Sequence, residues 1–89
     1  MTFPLGQIVA TRGVLDALLV TGGLPDTFLA RHAVGDWGDV SDEDRRENDL
    51  ALVQDLRILS AYTLSDGTKI WIITEADRSS TCVLLPDEY

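Results

Sequence analysis

The feature that most constrains the fold is a pair of apolar runs, residues 56–64 and 69–75, separated by the turn dipeptide Asp66-Gly67. Glycine supplies the positive φ that a tight hairpin turn requires, so the two runs predict paired antiparallel strands. A short turn-forming segment then leads to a last apolar run at residues 81–85. Three strands in sequence with short connections predict an antiparallel β-meander in the second half of the chain.

The middle strand of this meander carries apolar side chains at both alternating sets of positions. The two sets are Ile70, Ile72 and Thr74 on one face and Lys69, Trp71, Ile73 and Glu75 on the other. Because both sets are mostly apolar, we predict a central strand that is at least partly covered on both faces.

The first half of the chain shows helical signals. Residues 6–10 predict a short first strand, and Thr11 stands where the N-cap of a first helix belongs. Gly22 is expected to end that helix, because glycine tolerates the left-handed backbone of a C-cap. Pro25 suits the first turn of a second helix, and Ser41 can cap a third through its hydroxyl. The predicted fold class is therefore α+β: a short N-terminal strand, about three helices and then the three-stranded antiparallel meander.

The apolar positions of these elements predict the core. The residues expected to be largely buried together are Ile58, Trp71, Ile73, Val83, Leu85, Leu15, Leu18, Leu29 and Val53. In the third helix, Val53 is expected to share a buried side with Leu50 and Leu56.

Length and composition favour one small globular domain spanning residues 1–89. Hydrophobic residues make up 45% of the chain and charged residues 25%, which is not the composition of a disordered tail. Cys82 is the single cysteine, so no intrachain disulfide can form. Together with the lack of a recognisable signal peptide or membrane-spanning apolar run, this predicts a cytoplasmic protein.

The acidic segment 35–49 is the strongest indication of function. It carries seven carboxylates against two arginines, and therefore five of the chain's eight net negative charges. A concentrated negative surface repels nucleic acid and attracts basic protein surfaces. The residues predicted to form a partner-binding surface are Asp36, Trp37, Asp39, Asp42, Glu43, Asp44 and Glu47.

Within this surface Trp37 has two interpretations. It can fold back as an apolar plug for its glycine-flanked loop, or it can stand out as an interface anchor, since tryptophan is enriched among binding hot spots. The sequence leaves both interpretations open.

Catalytic and metal-binding motifs are not recognised. A candidate polar cluster consists of His32, Asp36, Asp39, Glu75, Asp77 and Arg78, whose spacing matches no metal motif. Structural roles are favoured for its members: the aspartates hold turns, and Arg78 pairs with a carboxylate. With one histidine and one cysteine in the chain, we expect no enzyme activity, no cofactor and no metal.

Three segments, LGQIVAT, RHAVGDWGD and KIWIITEADRSSTCVLLPDEY, resemble those of a family of small acidic proteins of bacterial plasmids, integrated elements and phages, often called plasmid-related proteins. The resemblance runs from about Leu5 to Tyr89. It implies a mobile-element setting within a bacterial host cell, and it supplies no catalytic residues.

Two functions follow as expectations. The first is a stoichiometric inhibitor of a host DNA-targeting defence complex, an anti-CRISPR or anti-restriction protein, that occupies a Lys- and Arg-lined DNA groove as a nucleic-acid mimic. The alternative is a regulatory or maintenance partner of a plasmid replication, transfer or toxin–antitoxin protein. Either way the expected partner is a basic protein surface, and neither nucleic acid nor a membrane.

Overall fold

Three α-helices and a four-stranded mixed sheet make up the fold, which confirms the α+β class. The structure is a computed structural model, and it describes residues 2–89. In chain order the elements are β1 (Gln7–Ala10), α1 (Arg12–Thr21), α2 (Pro25–Ala33), α3 (Asp42–Gln54), β2 (Ile58–Thr63), β3 (Lys69–Thr74), β4 (Ser80–Leu84) and a 3-10 turn (Pro86–Glu88).

The sheet has the strand order β1-β4-β3-β2. The predicted hairpins are present, because β2 pairs antiparallel with β3 and β3 antiparallel with β4. The sheet is nevertheless not a pure three-stranded meander. The first strand joins it beside β4 in parallel, with Ile8 opposite Thr81 and Ala10 opposite Val83. The three helices between β1 and β2 provide the long connection that brings the chain from one edge of the sheet to the other.

Local capping interactions set the helix ends where the sequence predicts them. The Thr11 hydroxyl accepts a hydrogen bond from the Val14 amide at 3.3 Å, and the Ser41 hydroxyl one from the Asp44 amide at 3.1 Å. The C-cap of α1 is Gly22, whose φ of 74° lies in the left-handed region. Within residues 2–89, no single helix is long and apolar enough to cross a membrane.

The core lies on one face of the sheet, here called the inner face, beneath α1 and α2. Its main cluster comprises Val14, Leu18, Leu29, Tyr62, Leu64, Ile70, Ile72 and Val83. A second cluster at the α3 end consists of Trp37, Ala51 and Ile58. Trp71 and the outward-pointing residues of the three antiparallel strands form the opposite, outer face.

Part of the predicted core is confirmed and part is wrong. Buried as predicted are Ile58, Ile73, Val83, Leu18 and Leu29. Trp71 and Leu85 are half-buried, and Leu15 is 46% exposed. Val53 is 79% exposed, and Leu50 and Leu56 are exposed with it.

Helix α3 buries Asn48 and Ala51 instead of its leucine and valine side chains. The reason is a pair of hydrogen bonds to the outer edge of β2. The Asn48 side chain donates to the Leu59 carbonyl at 2.7 Å and accepts from the Leu59 amide at 3.2 Å. These two bonds fix the rotation of the helix against the sheet, so the apolar stripe faces solvent.

Residues 37–39 cover the same edge of β2 at Ala61, two residues after Leu59. The Ala61 amide donates to the Trp37 carbonyl at 3.1 Å, and the Asp39 amide donates to the Ala61 carbonyl at 2.6 Å. The outward amides and carbonyls of both Leu59 and Ala61 are therefore satisfied within the chain. Nothing at these positions of the β2 edge is left for another strand to pair with.

Replacement of Asn48 by Ala should lower the free energy of unfolding by about 1–3 kcal/mol, because the part-buried Leu59 amide and carbonyl lose their partners. Urea unfolding of Asn48→Ala measures the change. Gln54→Ala is the control on the same helix, since Gln54 is exposed, and it should change stability little. Equal stabilities of the two variants would contradict the role given to Asn48.

Candidate functional site

Gly38 positions the acidic loop against the sheet. A Cβ atom at this position would lie 2.0 Å from the Ala61 carbonyl oxygen, and the residue has a φ of 74°. Both the contact and the backbone conformation require glycine. The close approach lets residues 37–39 bond to the β2 edge, and it carries the flanking aspartates Asp36 and Asp39 to fixed places.

Asp36 has mainly a structural role. Its carboxylate pairs with Arg31 at 2.7 Å and accepts from the Gly38 amide at 3.2 Å. The Arg31 hydrogen bond is the largest cause of a lowered Asp36 pKa. The Tyr62 hydroxyl donates to the Asp36 carbonyl at 2.6 Å, and burial raises the pKa of Tyr62 to about 12. Asp36 thus ties the end of α2 to β2.

Asp39 is likewise bound within the chain. Its carboxylate accepts from the Thr63 hydroxyl at 2.7 Å, and that hydroxyl accepts from Lys69 at 2.7 Å. The carboxylate stays exposed, so Asp39 adds negative charge to this surface while its position is set by β2.

Trp37 is 1% exposed, which corrects its placement on the partner-binding surface. Its indole N–H donates to Asp49 at 3.1 Å. The ring centroid lies 5.9 Å from that of His32 and 6.1 Å from that of Phe3. Of the two interpretations, the plug agrees with the structure, because a side chain so enclosed offers no contact to a partner.

The remaining predicted residues, Asp42, Glu43, Asp44 and Glu47, lie on the first turns of α3 and are all exposed. Within residues 2–89 the ion pairs are Arg31–Asp36 and Arg57–Glu75, so none of these four carboxylates belongs to one. Three of them occupy the first turn, where the helix dipole stabilises negative charge without a cation. Their charge is therefore available to a partner.

Two of these carboxylates, Asp44 and Glu47, border a groove of about 360 Å³ between α3 and the outer face of the sheet. We call it the acidic groove; its lining residues are Asp44, Glu47, Asn48, Arg57, Leu59, Trp71 and Tyr89. Its volume lies at the lower end of the range of ligand pockets, roughly 300–1,000 Å³. The groove joins an acidic rim to an aromatic floor.

Two aromatic rings and one cation form that floor. The ring centroids of Trp71 and Tyr89 are 5.9 Å apart, in an edge-to-face arrangement. The Arg57 guanidinium lies 4.9 Å from the centroid of the Tyr89 ring and also hydrogen-bonds to its hydroxyl. The groove thus already holds one guanidinium against an aromatic face, which is the contact that a partner's arginine would make.

Sequence reasoning missed Arg57, Trp71 and Tyr89 as groove residues. The available signal was the alternation of β3, because Trp71 shares its face with the charged Lys69. That pattern predicts an outer-face position for Trp71. It does not predict that Tyr89, at the chain end, folds back over it.

His32 belongs to a buried polar chain and not to a ligand site. The Thr81 hydroxyl donates to the Leu5 carbonyl at 2.7 Å, so it must accept from Thr74, also at 2.7 Å. Thr74 therefore accepts from His32 Nε2 at 2.8 Å. Nε2 therefore carries a proton, and because burial lowers the pKa of His32 the ring is neutral, so Nδ1 accepts from Ser60 at 2.5 Å.

The candidate polar cluster is not brought together. Within residues 2–89, no group of three or more His, Cys, Asp or Glu side chains could hold a metal ion. Asp77 holds its own turn by accepting from the Ser79 amide at 3.0 Å, as predicted. Arg78 was predicted to pair with a carboxylate, and this is wrong. Its guanidinium donates to the Ala51 carbonyl in the last turn of α3 at 2.9 Å and to the Leu56 carbonyl just after the helix at 2.7 Å.

Comparison with known proteins adds no relative. No protein-family model, no curated protein and no solved structure matches the chain. The resemblance to plasmid-related proteins therefore stays an expectation, and the function must be argued from the site itself.

The stability of the protein should depend on pH through His32. Its pKa falls from 6.5 to about 4, first because burial disfavours the charged ring and second because of the Arg78 charge. Between these values the unfolded chain binds a proton that the native state does not. The free energy of unfolding should therefore fall as the pH is lowered from 6.5 to 4, by roughly 3 kcal/mol in all. Urea unfolding across this range measures it.

The matched variant for this measurement is His32→Gln, which keeps a donor and an acceptor but does not titrate. The carboxylates titrate in both proteins, so the difference between the two curves isolates the histidine. Parallel curves for parent and variant would contradict the assignment.

Truncation of Trp37 should be strongly destabilising. Trp37→Ala is expected to cost about 3–5 kcal/mol, the range for a large buried aromatic side chain. Trp37→Phe keeps an aromatic ring and loses the hydrogen bond to Asp49, so it should cost less. Thermal unfolding of the two variants tests this order, and an unchanged Tm for Trp37→Ala would show that the ring is not part of the core.

Proposed function

We propose that this protein is a small acidic protein-binding module whose partner is the basic, nucleic-acid-binding surface of another protein. One observation carries the proposal. Exposed carboxylates on the first turns of α3, which belong to no ion pair within residues 2–89, border a groove with an aromatic floor. A basic side chain of the partner would find a carboxylate and a ring face side by side.

The chemistry of the acidic groove suits arginine or lysine. Asp44 and Glu47 supply carboxylates that form charge-assisted hydrogen bonds to a guanidinium or ammonium group. Trp71 offers the ring type that binds cations best. Asp42 and Glu43 lie at the start of the same helix, where they add long-range attraction and speed the encounter.

In a mobile-element setting, the partner that this chemistry fits is a host DNA-targeting defence complex. Such complexes hold DNA in channels lined with basic residues. A rigid helix that presents carboxylates can occupy such a channel in place of the phosphate backbone. We therefore propose stoichiometric inhibition by nucleic-acid mimicry inside a bacterial host cell, with no catalytic step and no cofactor.

The test is charge reversal at the start of α3. The triple variant Asp42→Lys, Glu43→Lys, Asp44→Lys changes the net charge from −8 to −2. Association with a guide-loaded CRISPR effector or a restriction enzyme should slow by about tenfold or more at low salt. The difference should shrink at high salt, because exposed charges are screened beyond about 10 Å at 0.1 M.

A matched control separates local from global charge. The variant Asp16→Lys, Asp26→Lys, Asp87→Lys makes the same change in net charge at exposed positions outside α3. It should bind nearly as fast as the parent. Equal rates for both triple variants, or failure of the parent to bind any such complex or compete with duplex DNA for it, would contradict the proposal. Capture of a replication or transfer protein instead would assign the same surface to plasmid maintenance.

A further inference from the structure

Strand β1 is an open edge of the sheet. All four of its residues are exposed, with Ile8 at 50% and Val9 at 44%. The Gln7 amide donates to the Ser79 carbonyl and the Thr11 amide to the Val83 carbonyl, each at 3.0 Å. The odd-numbered residues therefore face β4. The amides and carbonyls of the even-numbered residues, 8 and 10, point away from the sheet.

The two edges of the sheet differ in whether their outward amides and carbonyls have partners within the chain. At the β2 edge, Asn48 and residues 37–39 satisfy the outward groups. Among the described residues, 2–89, none covers the β1 edge in this way, since the chain before it turns inward and places Phe3 against His32. Proteins usually protect an open edge with charged side chains or proline. Here residues 7–10 contain neither, and the first charged side chain of the chain is Arg12.

We propose that the β1 edge binds a second copy of this chain, with the two β1 strands antiparallel about a two-fold axis at Val9. This inference does not depend on the acidic groove. In this register residue 8 of each copy lies opposite residue 10 of the other. An antiparallel pair of this kind exchanges both hydrogen bonds. Four bonds then satisfy every outward amide and carbonyl of residues 8 and 10 in both copies.

Charge distribution favours a second copy as the occupant. A chain of net charge −8 approaches a second copy with least repulsion where carboxylates are few. Residues 7–10 carry none, and the Glu88 carboxylate beside the end of β1 is bonded to Thr11 and Gly13. Segment 35–49 carries most of that charge and lies at the β2 edge, three strands away from β1. At about 4.8 Å per strand the separation is roughly 14 Å, beyond the screening length of about 8 Å at physiological salt. In the dimer the two acidic surfaces point to opposite ends of an eight-stranded sheet.

Helix α1, which follows β1 in the chain, is the element that we expect to add apolar area to this junction. The two-fold axis is perpendicular to the sheet, so both copies of α1 lie on the same side of it. The helix starts two residues after β1 and packs on β4. It exposes Leu15 at 46%, Leu19 at 81% and Val20 at 79%. A stable interface needs on the order of 1,000 Å², which four backbone bonds alone do not provide.

Sedimentation equilibrium of the full chain tests the proposal. The parent should sediment at twice its 9.8 kDa mass. Val9→Lys should sediment as a monomer, since the two lysines would face each other at the two-fold axis. Val53→Lys, the same substitution at a 79% exposed position of α3, should remain a dimer. Thermal unfolding of each variant checks that it is folded.

Disulfide crosslinking tests the register independently, in a Cys82→Ala background because Cys82 lies beside Val9 in the sheet. Val9→Cys should crosslink two copies, since the two Val9 residues form a non-hydrogen-bonded pair, whose Cα atoms are about 4.5 Å apart. Gln7→Cys should not, because its two copies would lie about 13 Å apart. A parent that is monomeric up to its solubility limit overturns the proposal. So does a Val9→Lys dimer, or a Gln7→Cys variant that crosslinks as well as Val9→Cys.

Discussion

The outer edge of β2 is the constraint on which the rest of the structure depends. Its outward amides and carbonyls at Leu59 and Ala61 need partners, because an unpaired backbone group removed from water costs free energy comparable to a lost hydrogen bond. Asn48 and residues 37–39 provide them. One consequence is the rotation of α3, which turns Val53 to solvent and carries Asp44 and Glu47 to the rim of the acidic groove.

The polar residues that suggest chemistry in the sequence serve mainly to join elements. His32 connects α2 to β2 and β3 through its hydrogen bonds to Ser60 and Thr74. Thr81 bonds in turn to Thr74 and to the Leu5 carbonyl, which adds the N-terminal segment to this series of hydrogen bonds. Arg78 binds the Ala51 carbonyl in the last turn of α3 and the Leu56 carbonyl just after the helix. In a domain of this size such bonds supplement a modest core. The four carboxylates on the first turns of α3 differ from them, because they are exposed and belong to no ion pair within residues 2–89.

The β2 edge of the sheet is covered and the β1 edge is open, which gives the molecule two different surfaces. The covered edge carries the acidic segment, and residues 7–10 of the open edge carry no charged side chain. Charge repulsion among like molecules is therefore concentrated at one end of the sheet, while backbone pairing remains available at the other. The same arrangement supports both proposals, a basic partner at the acidic groove and a second copy at β1.

Local interactions are what the sequence by itself determined. The caps at Thr11 and Ser41 and the turns at Asp66 and Asp77 depend on bonds between residues at most three positions apart. The order of helices and strands follows from apolar patterns that are equally local. The parallel pairing of β1, the burial of Trp37 and the aromatic floor of the groove were decided only by the tertiary structure. Each depends on contacts between residues far apart in the chain, such as Trp71 with Tyr89, and no local pattern specifies which distant backbone group a side chain will satisfy.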